Sequence, residues 1–97
     1  MNINLLNDLF KEVYVNKCHK SFEEILVDID NIIIRAAHHT YNMYEDKILN
    51  EIEDIKQNIS IKIYMDISSV LFKFKNKEEL EIYIFETAEE ILQETRG

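Results

Sequence analysis

Four side chains able to bind a transition metal stand in two adjacent pairs, Cys18-His19 and His38-His39. Together they would offer the sulfur and nitrogen ligands that zinc prefers. Their spacing works against it. Structural zinc sites take each ligand pair from residues separated by a short gap, and neighbouring histidines on a helix diverge by about 100°. No metal and no cofactor is expected. Cys18 has no base near it in sequence that would mark it as a nucleophile. Arg35 and His39 lie one helical turn apart, with Asp28, Asn42 and Asp46 on the same polar face. A hydrolytic site could use such groups. The same pattern describes a solvated face carrying charge pairs. No catalytic residue is assigned, and an enzyme is not expected.

The elements that would position these residues follow from periodicity. Leu5, Leu6, Leu9, Phe10 and Val13 recur at helical spacing and predict a first helix over 3–16. Ser21-Phe22-Glu23-Glu24 matches a capping box, with Ser21 as N-cap and Glu24 reaching back. A long central helix is expected from about 22 to 58. Residues 2–58 hold no proline and no glycine, so nothing in composition obliges that helix to stop. Phe22, Leu26, Ile29, Ile33, Ala36, Thr40 and Tyr44 share one face. After Tyr44 the apolar positions Ile48, Ile52 and Ile55 are displaced by roughly a quarter turn. A break near 39–42 would account for that. A continuous helix would too, because Ile34, Tyr41, Ile48 and Ile55 repeat every seven residues as a second seam. The continuous helix is the preferred reading. At about 55 Å it would overhang a domain of roughly 30 Å diameter and call for a partner.

The pattern then changes to period two. Ile59, Ile61, Ile63, Met65 and Ile67 alternate with Ser60, Lys62, Tyr64 and Asp66. Val70, Phe72 and Phe74 alternate with Leu71, Lys73 and Lys75. Two strands joined at Ser68-Ser69 form a β-hairpin over about 59–75 on this reading. Asn76-Lys77-Glu78-Glu79 is a further capping signal. It opens a last helix over about 77–95 with Leu80, Ile84, Ala88, Ile91 and Leu92 buried. The expected fold is therefore α+β, in a single domain spanning 1–97.

Composition narrows the function. With 97 residues and 46% hydrophobic content the chain can build one core, though a small one. A net charge of −8 opposes direct nucleic-acid binding, which depends on neutralising phosphates. It suits a basic protein partner. One cysteine excludes an intrachain disulfide. Met1 to Asn7 lacks a basic segment followed by an apolar one, and the longest run of isoleucines is Ile32-Ile33-Ile34. No signal peptide and no membrane association are expected, and the location expected is cytoplasmic.

Two surfaces are candidate interfaces. On the last helix Glu79, Glu86, Glu90 and Glu94 share the outer face, and Ile82 and Tyr83 lie among them outside the core stripe. An aromatic anchor with a charged rim is the composition of a partner-binding patch. On the central helix Tyr41, Ile48, Ile52 and Ile55 form a seam suited to a homodimer. Lys62, Lys73 and Lys75, with Tyr64 alongside, would make a basic face on the hairpin. That face could bind single-stranded nucleic acid, or protect strand edges. In size and charge the chain is similar to phage anti-defence proteins, toxin immunity proteins and antitoxins, a resemblance of general character that transfers no residues. The expectation is a non-enzymatic inhibitor that occludes a basic or nucleic-acid-binding partner. The alternatives are a structural homodimer and a small nucleic-acid-binding or hydrolytic regulator.

Overall fold

Ile55, Ile59, Ile63 and Ile67 recur every fourth residue, and each is almost wholly buried. A strand would bury Ile61 and Met65 on the same side, and both are exposed, so the stripe is that of a helix. The computed structural model describes residues 2–43 and 52–96, and among them the only regular elements are helices. The elements are α1 (Ile3–Asn16), α2 (His19–Met43), α3 (Ile52–Ser69) and α4 (Lys77–Arg96).

The expected α+β fold and its hairpin are therefore corrected to a helical bundle. The first proposed strand is the second half of α3. Its alternation was real but incidental: Ile59, Ile63 and Ile67 face the core, while Ile61 and Met65 between them are 52% and 61% exposed. Two exposed apolar residues at alternate positions turned a period of four into an apparent period of two. Burial of the isoleucine stripe outweighs the preference of β-branched residues for strands. The second proposed strand is the connector 70–76. Phe72 and Phe74 do lie on one side of it, with rings parallel and 5.8 Å apart. No neighbouring strand pairs with it among the described residues. Its backbone is met instead by the Asn7 side chain, whose Nδ2 donates to Phe74 O at 2.8 Å and whose Oδ1 accepts from Phe74 N at 3.0 Å. One amide thus substitutes for a strand neighbour.

The continuous central helix is also corrected. α2 and α3 are separate and antiparallel. Tyr64 of α3 lies against His19 and Phe22 near the start of α2, whereas Lys56, two turns earlier in α3, reaches Asp30 further along α2. The break expected near 39–42 falls inside α2, which is helical through Met43. Residues 44–51, between the two helices, lie outside the described residues. The quarter-turn displacement of apolar positions after Tyr44 is what two helices with separate stripes produce. With overall extents of 40 × 23 × 19 Å, a 55 Å rod has no place in the molecule.

α1 and α4 lie where the periodicity places them. Asn2 caps α1, its Oδ1 accepting from Asn4 N and Leu5 N. Asn76 Oδ1 accepts from Glu79 N, and Glu79 Oε1 accepts from Lys75 N, so the capping signal expected before α4 is made. The box at Ser21 is not. α2 begins three residues earlier, at His19, with Phe22 N donating to Cys18 O, and Ser21 is buried in its first turn. The two-residue turn at 17–18 explains this. Lys17 takes a left-handed conformation, φ 53°, which closes α1 and lets α2 start at once. Its ammonium donates to Tyr14 O and to Ser68 O at the end of α3. The core joins Leu6, Phe10 and Val13 of α1 to stripes from α2, α3 and α4. Phe74 closes it between Phe10 (ring centroids 5.6 Å apart) and Tyr83 (5.7 Å).

Candidate functional site

Each helix of the bundle has one apolar stripe committed to the core, so function must be read from the outward faces. α2 separates the candidate metal ligands. Cys18-His19 stands at its start, and His38-His39 about 30 Å further along. They cannot meet around one ion, and no group of three or more histidines, cysteines or acids among the described residues is placed to hold a metal. Cys18 has a local role. Its sulfur sits at the N-terminus of α2, where the Ser21 hydroxyl and then the Ser21 and Lys20 backbone amides hydrogen-bond to it. Those bonds hold the thiol below its ordinary value.

Arg35 and His39 are not brought into a site. Arg35 pairs with Glu81 of α4 at 3.0 Å, and that guanidinium, with Lys77 beyond it, holds the Glu81 carboxyl below its usual range. The His39 ring lies 5.8 Å from that of Phe85. Asp46 lies outside the described residues. The basic hairpin face dissolves with the hairpin. Lys62, on α3, reaches Glu90 and Glu94 of α4 at 3.5 Å each. Burial pulls its pKa down, and the two carboxylates outweigh this and hold it above the ordinary value. Lys73 and Lys75 stand exposed on the connector, and Tyr64 stacks on His19.

The residues expected to form an α4 interface take different positions. Glu86 is exposed, and so is Ile82, at 59%. Glu79 caps its own helix. Glu90 faces Lys62. Tyr83 points inward: its hydroxyl donates to Asp66 Oδ2 at 2.8 Å, and its ring lies against Phe72 and Phe74. Of the seam, Ile55 is buried in the chain's own core, while Tyr41 and Ile52 are partly buried against it. Ile48 lies outside the described residues.

A surface that sequence reading left undivided lies between α1 and α2. Leu5, Leu9 and Val27 line a groove of about 490 Å³, and Asp8, Glu24 and Asp28 complete its lining. Leu5 and Val27 are 61% and 78% exposed. Glu23, Glu24, Asp28 and Asp30 read from sequence as an acidic cluster, but the meeting of Glu24 and Asp28 with Asp8 across an apolar floor depends on how α1 folds back on α2. A second hollow lies between α2 and α3, lined by His19, Phe22, Gln57, Ser60, Ile61 and Tyr64, with no acid in its wall.

No protein-family model matches the chain, and neither a curated protein nor a solved structure is significantly similar to it. No described helix is long and apolar enough to cross a membrane.

Proposed function

We propose that the protein is a non-enzymatic binding module that occludes a basic protein surface, acting as an inhibitor or antagonist through its acidic helix faces. The observation that carries this reading is how its charges are distributed. Arg35, Lys56, Lys62 and Lys77 are engaged with carboxylates of the chain itself. Asp8, Glu24 and Asp28 on one face, and Glu86 and Glu89 on another, have no described cation within ion-pair distance. Surplus negative charge concentrated on outward faces steers a positively charged partner and speeds its association. The test is capture of partners by the tagged protein from nuclease-treated host lysate at low and at high salt. The reading expects one stoichiometric protein of basic isoelectric point, retained at low salt and lost at high salt. Recovery of the bait alone, or a partner held equally at both salts, would defeat it.

A second reading, self-association, is favoured by the hollow between α2 and α3. Ile61 and, one turn on, Met65 are exposed beside a wall free of acids, where two copies of an acidic chain would meet with least repulsion. Sedimentation across a concentration series decides this. A monomer at every concentration would remove the dimer.

A further inference from the structure

We infer that the groove between α1 and α2 is the docking site for a basic amphipathic helix of the partner. This rests on the proposed function and specifies where and how the partner is held. Leu5 and Leu9 are one turn apart on α1, and Val27 stands opposite on α2, so the groove floor is apolar. Apolar side chains repeating at one-turn spacing along a helix fit such a floor. The walls set the charge of the ligand. Glu24 and Asp28 are four residues apart on α2 and face Asp8 of α1 across the groove. Like charges at that spacing destabilise an isolated helix. The dipole of α2 favours acids only in its first turn, so it explains neither Asp28, in the third turn, nor Asp8, within α1. No described cation pairs with any of the three. Lysines or arginines flanking an apolar stripe would meet all three carboxylates while the stripe covers Leu5, Leu9 and Val27. A second copy of this chain would bring acids to acids.

The probe is a synthetic lysine–leucine peptide with leucine at every third and fourth position, and its control is the same composition scrambled. Amide chemical-shift mapping locates each peptide, and fluorescence anisotropy gives affinity. The patterned peptide is expected to shift Leu5, Asp8, Leu9, Glu24, Val27 and Asp28. It should lose about tenfold or more in affinity for V27D and for the E24K/D28K double variant, with helical circular dichroism unchanged. Should either variant unfold, shift mapping on the unaltered protein still decides the question. Shifts centred on Glu86 and Glu90 of α4, or equal binding of the scrambled peptide, would overturn the groove and leave the wider acidic-face reading standing. No shift with either peptide at low salt would overturn both.

Discussion

The hydroxyl of Tyr83 on α4 donates to Asp66 Oδ2 on α3 at 2.8 Å. Burial first, and then this hydrogen bond to a carboxylate, push the Tyr83 phenol well above its ordinary value of 10.0. The two helices are thereby joined beside the connector that Phe72 and Phe74 anchor. Y83F should keep the ring packing and lose the bond, costing on the order of 1–2 kcal/mol in denaturant unfolding. The pH dependence has a definite sign. In the unfolded chain this phenol ionises near pH 10, and in the folded chain it stays protonated to higher pH. Its contribution is therefore fully present below about pH 10 and is lost as pH rises further. Y83F should flatten the alkaline fall in stability, as measured by unfolding midpoints between about pH 8 and pH 11. An alkaline limb of unchanged slope would count against the pairing. Because Tyr83 is turned inward, truncating it to alanine tests packing, and partner contact on α4 is better tested at Ile82 and Glu86.

A direct check of α3 compares neighbours two residues apart. Ile63 is 1% exposed and Ile61 is 52% exposed. I63A should cost about 2–5 kcal/mol, whereas I61A should stay within about 0.5 kcal/mol of the native chain. A strand with Ile59, Ile61 and Ile63 on one face would make the two losses similar.

Asn7 hydrogen-bonds the connector backbone from α1, through both Phe74 N and Phe74 O. N7A leaves both groups without that partner and should cost about 1–3 kcal/mol. Amide hydrogen exchange should show the loss of protection first at Phe74. Unchanged exchange there would contradict the role assigned to Asn7.

Cys18 should react as a thiolate at lower pH than an ordinary cysteine, whose value is 9.0, because Ser21 and the start of α2 stabilise the anion. The rate of alkylation against pH measures this. S21A should move the midpoint upward, and a midpoint indifferent to S21A would remove the hydroxyl from the account.

Helices α1 and α4 were readable because their apolar residues recur at three and four and their caps are local: Asn76 and Glu79 need only their own neighbours. The region 59–75 misled for a physical reason. Ile61 and Met65 are exposed apolar residues, and no local rule distinguishes them from the buried Ile59 and Ile63. Phe72 and Phe74 alternate as in a strand, yet what pairs with Phe74 is a side chain distant in sequence, Asn7. The candidate surfaces follow the same division. Acids at 24 and 28 could be placed on one helix face from sequence, but the groove required Leu5, Asp8 and Leu9 to arrive from another helix. The inward turn of Tyr83 likewise depends on where α3 lies.

The most direct test of the central claim is partner capture by three versions of the protein in parallel: native, E24K/D28K and E86K/E89K. Capture of one basic protein at low salt by the native chain, retained by E86K/E89K and lost by E24K/D28K, is the predicted result. Capture that survives E24K/D28K undiminished, or that is indifferent to salt, would contradict it.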